Sequence, residues 1–231
     1  MTKRLAYITI IVFFLGACKE TPKEKPIIEE QEASQVIDSI IPIVEEEEFV
    51  LTEENVIDFF FNYQKTLTED KVKITTNLGS FTVQLYNNVP YHKANFIYLT
   101  KKEYFNNTMF HRVVKNFIIQ GGNSDNVEVL KKRREIGRYL LPPDTRKGHK
   151  HHRGTISMPS SERDNPHKLA SPYEFFIVVT KPGSYHLDGS YTPFGKVIQG
   201  MAVVDLINQQ AVDDGDWPSQ NIYILKAETV P

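Results

Sequence analysis

From residue 70 onward the chain is a succession of short runs in which every second residue is apolar. Lys71-Val72-Lys73-Ile74-Thr75 alternates, residues 77–80 form a turn around Gly79, and Phe81, Val83 and Leu85 alternate again. Similar β-rich runs cover 110–114, 117–120, 155–158, 175–180, 194–198 and 222–226. A period of two places one face of each run inward, as a half-buried strand requires. Two stretches read as helices instead. Pro90 opens one that carries Ala94, Phe96, Ile97 and Leu99 inward, and residues 201–208 form a second. Many short strands with few helices predict a mainly β chain, an antiparallel barrel or sandwich with capping helices. No internal repeat is present.

The first 69 residues follow a different logic. Lys3 and Arg4 precede an apolar run over 5–15 that ends Leu15-Gly16-Ala17-Cys18. A charged start, a short apolar stretch and small residues at its end predict a secretory signal over residues 1–17, too short to span a bilayer. Cys18 is the only cysteine, so no intramolecular disulfide can form. The Leu-Gly-Ala-Cys stretch resembles the bacterial lipoprotein box. That resemblance implies that Cys18 is acylated, becomes the mature N-terminus and anchors the chain to a membrane of the cell envelope, on the periplasmic face or in the outer membrane. Residues 18–50 read as an acidic disordered tether: 19–48 hold ten Asp or Glu against three Lys and end in four glutamates. Thirty residues reach at most about 100 Å. Within 51–69, residues 51–65 read as a helix capped by Thr52, with Val56, Phe60, Tyr63 and Leu67 on one face. The net charge of −2 therefore averages an acidic tether with a domain over 70–231 that carries 21 Lys or Arg against 15 Asp or Glu. The balance excludes a uniformly basic nucleic-acid binder.

The run Phe110-His111-Arg112-Val113-Val114-Lys115-Asn116-Phe117-Ile118-Ile119-Gln120-Gly121-Gly122 is the most informative in the chain. It reads as two strands around Lys115-Asn116. Strict alternation puts His111 and Val113 on one side and Phe110, Arg112 and Val114 on the other. An arginine, a phenylalanine and a glutamine then face one groove. On composition alone, Arg112 reads first as a surface arginine of a half-buried sheet, ahead of any functional role.

This run resembles the cyclophilins, a family of peptidyl-prolyl cis–trans isomerases. So do Asn88-Val89-Pro90 with Ala94-Asn95-Phe96, then Phe175-Phe176-Ile177, Leu187-Asp188-Gly189, and Phe194-Gly195-Lys196-Val197 with Gly200-Met201, in the family's order. The resemblance spans about residues 71–228. It implies a cyclophilin-like eight-stranded antiparallel β-barrel capped by two α-helices, to which this chain adds one N-terminal helix. It implies that Arg112 is the catalytic arginine and that Gln120 orients Arg112 and the substrate backbone. Phe117, Ile118, Phe176 and Leu187 become the walls of a proline pocket, with His186 and Tyr191 on its rim. Met158, Pro159 and Ser160 occupy the strand that pairs with bound peptide. The implied partners are proline-containing polypeptides, bound by a monomer that needs no cofactor and no metal.

The chain departs from the family pattern at several positions. Glu174 stands where a glutamine is usual, and a carboxylate there is placed to pair with Arg112 and compete with substrate. Tyr173 replaces a small residue and is expected to narrow a neighbouring subsite. Pro159 removes a backbone donor from the peptide-pairing strand. These departures motivate a second reading, a catalytically weak peptide-binding or chaperone module of the same fold. Residues 131–153 hold nine Lys or Arg and two acids, with a cluster of His149, His151 and His152. This segment reads as a solvated basic loop. A metal-dependent hydrolase built on the three histidines is the rival reading, weakened by the absence of cysteine or acid within the cluster.

Overall fold

The computed structural model describes residues 49–161, 164 and 166–231. The signal sequence, Cys18 and nearly all of the tether lie outside the described residues. The alternating runs form β2 (Lys71–Thr76), β3 (Gly79–Leu85), β4 (Thr108–Val114), β5 (Ile118–Asn123), β7 (Thr155–Ser157), β8 (Phe175–Val178), β9 (Pro193–Gln199) and β10 (Tyr223–Val230). These eight close into a barrel in the order β10-β2-β3-β9-β7-β8-β5-β4, with antiparallel neighbours throughout. Closure removes the unpaired edges that an open sheet would present. The alternation holds where it is cleanest: Val72 and Ile74 of β2 and Phe81, Val83 and Leu85 of β3 are all buried.

Two further short strands, β1 (Leu51–Thr52) and β6 (Gly137–Arg138), pair in parallel outside the barrel. That pairing corrects the expected start of the first helix. Thr52 is in a strand, and α1 runs over Val56–Tyr63, followed by one 3₁₀ turn over Gln64–Thr66. Asn55 precedes the helix and uses its side chain to accept a hydrogen bond from Thr52 N at 2.8 Å. Gly137 permits the contact. Its φ of +128° suits glycine, and a Cβ there would lie 1.9 Å from the Leu51 carbonyl oxygen.

Helix α2 (Pro90–Lys101) begins with proline at its first turn and buries Ala94, Phe96, Ile97 and Leu99, as the sequence predicts. It packs against β9 and β10, while α4 (Met201–Asn208) packs against β3, β4 and β5. The segment read as a basic loop contains a helix, α3 (Val127–Ile136). The Asn126 side chain caps it by accepting from Glu128 N at 2.8 Å, Glu128 sits in the first turn, and Arg133 and Arg134 sit in the last. No apolar stripe announces α3, because only Val129 and Ile136 are buried in it. The described residues thus contain four α-helices where two or three were expected.

Helix α1 is built into the main core. Phe60 is fully buried and meets Tyr98 of α2 and Tyr139 edge-on or tilted, at ring-centroid distances of 5.9 and 6.0 Å. Replacing it leaves a cavity between α1 and α2. Phe60→Ala is expected to destabilise the protein by about 3–5 kcal/mol. A urea titration should then show a lower midpoint with an unchanged slope.

Candidate active site

A register shift between β4 and β5 sets the geometry of the site. Phe110 pairs with Gly121 and Arg112 with Gln120, which leaves His111 as the extra residue of a bulge. The bulge overturns strict alternation. Phe110 and Val113 are both buried, whereas the Arg112 side chain is 44% exposed. From Arg112 the cross-strand partners run in one row through Gln120 and Phe176 to Ser157, across β4, β5, β8 and β7.

Beside this row lies a small apolar cluster separate from the main core. Ile118, Phe176 and Val178 form its buried part, and Val114, Phe117, Leu187 and Tyr191 pack around them half-buried. Tyr191 meets Phe176 edge-on at 5.6 Å, and His186 stacks on Phe117 at 5.4 Å. The structure therefore brings together Phe117, Ile118, Phe176, Leu187, Tyr191 and His186, with Arg112 and Gln120 beside them. The hairpin turn between β4 and β5 is pinned from α4. The Asn208 side chain accepts from Asn116 N at 2.8 Å and donates to the Val114 and Ile118 carbonyls at 2.9 and 3.2 Å.

The polar partners differ from the expected ones. Arg112 Nη2 donates to Asp216 Oδ2 at 3.1 Å, not to Glu174. Asp216 has a φ of +65°, and its carbonyl accepts from Val113 N at 2.8 Å, so the 213–217 loop is hydrogen-bonded to β4 next to Arg112. With 44% and 35% side-chain exposure, such a pair contributes about 1 kcal/mol or less. A competing acceptor can displace it at little cost. Gln120 Nε2 donates to Glu174 Oε2 at 2.8 Å. A carboxylate only accepts, so the Gln120 amide is turned with its NH₂ toward Glu174 and its carbonyl oxygen away. His111 Nε2 lies 3.4 Å from the same Glu174 oxygen, while its Nδ1 is buried and has no hydrogen-bond partner among the described residues. Trp217 stands 6.2 Å from the His111 ring.

Glu174 is fixed by the backbone around it. Asn95 of α2, fully buried, donates to the Pro172 carbonyl at 2.9 Å and accepts from Tyr139 Oη at 2.7 Å. Gly122, at φ +99°, lets β5 approach residue 173, where a Cβ would lie 2.4 Å from the Tyr173 carbonyl oxygen. Tyr173 does not join the Arg112 row. It is turned into the core, donates to the Gly137 carbonyl at 2.5 Å, and carries Arg133 over its ring at 4.7 Å.

Other sequence-derived residues fall elsewhere. Strand β7 ends at Ser157. Met158 packs in the main core, and Pro159 and Ser160 follow the strand, where the Pro159 carbonyl accepts from Ser171 N at 2.8 Å and Ser160 bridges to Ala170. The three histidines take separate partners. His149 stacks on Tyr86 at 3.8 Å, His152 Nδ1 contacts Tyr185 Oη at 2.9 Å, and His151 is fully buried beside Phe176. The solvated-loop reading fails for His151, because a short helix and a neighbouring loop fold its segment onto the barrel. His111, Ser157, Asp188, Asn208 and Asp216 have the closest structural ties to the site that sequence reasoning did not single out. The FHR and LDG runs contain two of them; nothing local marks the others.

The fold and site define a closed β-barrel with a separate apolar cluster on one side and an exposed guanidinium beside it. Residues 71–229 match the model of the family described as cyclophilin type peptidyl-prolyl cis-trans isomerase/CLD. Peptidyl-prolyl cis-trans isomerase-like 3 of Dictyostelium discoideum is 37% identical over 161 residues, covering 69% of this chain and 94% of that protein. Peptidyl-prolyl cis-trans isomerase-like 2 of Rhizopus delemar is 35% identical over 170 residues, 73% of this chain but only 30% of the relative's length. The crystal structure of a Cryptosporidium parvum cyclophilin type peptidyl-prolyl cis-trans isomerase in the presence of the dipeptide Ala-Pro superposes with a TM-score of 0.58 at 28% identity, covering 70% of this chain and 99% of that one. The chain belongs to the cyclophilin-type peptidyl-prolyl cis–trans isomerase family.

The Glu174 environment carries a pH signature. Burial by itself raises its pKa. The hydrogen bond and charge of His111, the Gln120 amide and Arg133 outweigh that and hold the carboxyl below the ordinary range. A depressed carboxylate stabilises the fold above its unfolded pKa of about 4.3, and that contribution is lost as pH falls through the folded value. The stability of the wild type minus that of Glu174→Gln is therefore expected to shrink as pH is lowered from 7 to 3. Paired urea titrations across that range measure it, and contributions from other titrating groups, such as the buried His92, largely cancel between the two proteins.

Proposed function

We propose that the chain catalyses cis–trans isomerisation of X–Pro bonds in polypeptides, with Arg112 as the catalytic residue and the Phe117, Ile118, Phe176 and Leu187 cluster as the proline pocket. The observation that carries this reading is the juxtaposition of an exposed guanidinium and a separate apolar cluster across one cross-strand row. The Ala-Pro dipeptide present with the Cryptosporidium relative supports the substrate class.

The X–Pro bond rotates slowly because its amide has partial double-bond character, with a barrier of about 18–20 kcal/mol. No bond has to break. Rotation by about 90° uncouples the nitrogen lone pair from the carbonyl. The twisted nitrogen becomes pyramidal and basic, and a fixed donor can hydrogen-bond it better than the planar form, which is differential binding of the transition state. Arg112 keeps its proton at any working pH, so its donor is always present. Asp216 holds the guanidinium near the row, too weakly to keep substrate out. Gln120, turned by Glu174, presents its carbonyl oxygen for a guanidinium or peptide N–H.

Magnitudes assign the work. Raising a rate from about 0.01 s⁻¹ to about 10³ s⁻¹ requires roughly 7 kcal/mol. A charge-assisted hydrogen bond supplies roughly 1.5–3 kcal/mol. The remainder falls to the pocket, which grips the ring and strips water from the planar amide while the preceding residue swings. Arg112→Ala is accordingly expected to reduce turnover roughly 10- to 150-fold and to leave residual catalysis. Exchange spectroscopy by NMR on an Ala-Pro peptide measures both proteins. Equal exchange rates would remove Arg112 from the mechanism. Peptide binding without accelerated exchange in the wild type would favour the peptide-binding module.

We also propose that the protein acts in a bacterial envelope, on secreted or envelope clients, held there by lipid on Cys18. The support is the Leu15-Gly16-Ala17-Cys18 stretch after a short apolar run, followed by an acidic segment that suits a spacer. Metabolic labelling with an azido-fatty acid is expected to mark the wild type and to leave Cys18→Ala unmarked. An unlabelled wild type would defeat the assignment.

A further inference from the structure

Next to the pocket stands a chain of three side chains that the isomerase mechanism does not use. His151 Nδ1 lies 2.8 Å from Asp188 Oδ1, and His151 Nε2 lies 3.0 Å from Ser157 Oγ. The order of groups is that of a hydrolytic triad, but Ser157 is 0% exposed, so no scissile carbonyl can reach its hydroxyl. The arrangement supports something rather than attacking it.

What it supports follows from its neighbours. The His151 ring stacks on Phe176 at 6.0 Å, with 11° between the planes, and Phe176 is the buried centre of the apolar cluster. Ser157 is the cross-strand partner of Phe176. Asp188 follows Leu187 directly, and its carboxylate also accepts from His151 N at 2.9 Å. The His151 carbonyl in turn accepts from Ser184 N at 2.7 Å, at the start of the turn that carries His186 and Leu187. One residue therefore holds two opposed parts of the pocket, Phe176 through its ring and the 184–188 turn through its backbone and Nδ1.

We propose that His151 is a positioning residue for the proline pocket and that protonation of its ring loosens the pocket. This rests on the reading of the cluster as the proline site. In the neutral ring, Nδ1–H donates to Asp188 and Nε2 accepts the Ser157 hydroxyl proton. A second ring proton turns Nε2 into a donor. Ser157 must then rotate its own proton away inside a fully buried site, and a charged ring must sit without water against Phe176. The groups that face His151 pull in both directions. Burial and the nearby His186 favour the neutral ring, while Asp188 favours the cation, and the balance lies below the ordinary imidazole value. Lys150 lies next in the chain and acts on Asp188, and His152 with Tyr185 flanks the same turn.

The test is the affinity of the full chain for an Ala-Pro peptide at pH 7.5 and pH 5, read from NMR shift changes of the Phe176 and Leu187 amides. The wild type is expected to bind about fivefold more weakly at the lower pH, the equivalent of one hydrogen bond. His151→Gln keeps a polar group near Ser157 and cannot titrate, so its affinity should change by less than about twofold over the same range. His111 and His186 remain in that variant, so any contribution from them stays visible. An equal acid weakening in His151→Gln, or none in the wild type, overturns the proposal. The ring resonances of His151 in the wild type provide a check that needs no variant. Their titration midpoint must coincide with the loss of binding, and a ring that does not titrate while binding is lost refutes the idea. Exchange rates at pH 7.5 are read separately: binding that is acid-sensitive without catalysis would sink the isomerase reading and leave this one standing.

Discussion

The site depends on one extra residue in β4. Without the bulge at His111, period-two pairing would force Phe110 and Arg112 onto the same face of the barrel. Phe110 is buried against Phe81 and Phe175, so an unbulged strand would point Arg112 into the core or pull Phe110 out of it. The bulge lets both Phe110 and Val113 face inward while Arg112 faces out. It also swings His111 toward Glu174 and so creates the contact that keeps the carboxylate charged. Core packing and site chemistry are thus settled by the same local irregularity, as is usual where a strand must re-aim a side chain.

The walls of the site are then held from outside the barrel by buried polar contacts. Asn208 fixes the β4–β5 turn, Asn95 and Tyr139 fix the backbone before Glu174, and His151 fixes the 184–188 turn. Each is at most a few per cent exposed, and a buried polar group left without its partner costs about 1–3 kcal/mol. Such groups specify a geometry more strictly than apolar contacts do, because a small displacement loses the whole bond. The added helix α1 joins this scheme indirectly. Its Phe60 packs on Tyr139, whose hydroxyl bonds Asn95, whose amide holds the backbone just before Glu174.

The barrel was legible in the sequence because its signals are local. Alternation in β2 and β3, the proline at the start of α2 and the Gly-Gly at the end of the 110–122 run need no knowledge of distant residues. The features that escaped depend on distant partners. Helix α3 has no apolar stripe, because little of it is buried, so its caps at Asn126 and Gly137 were the only readable signs. Strand β1 exists only because Gly137 admits Leu51. The partner of Arg112 is 104 positions away and that of His151 is 37. Glu174 was legible as a departure from the family pattern but not as a partner of Gln120, since the choice between Asp216 and Glu174 is made by the bulge.

The arrangement separates two kinds of electrostatics according to depth. At the rim, Arg112 and Asp216 are both partly in water, so their attraction is screened, and in the proposed mechanism substrate takes the guanidinium without a large loss. Below the rim, Glu174 is largely shielded and His151 is fully buried, so charges there interact more strongly and an unpaired charge is costly. A twisted amide gains or loses little charge, so a deep ion would bring no great advantage to the reaction, but it would hold a wall rigidly. Under the isomerase mechanism proposed above, a shallow guanidinium is the better donor for a peptide that must arrive, turn and leave. The Glu174 carboxylate is accordingly engaged by Gln120 and His111, and leaves Arg112, the catalytic donor proposed above, paired with Asp216 instead.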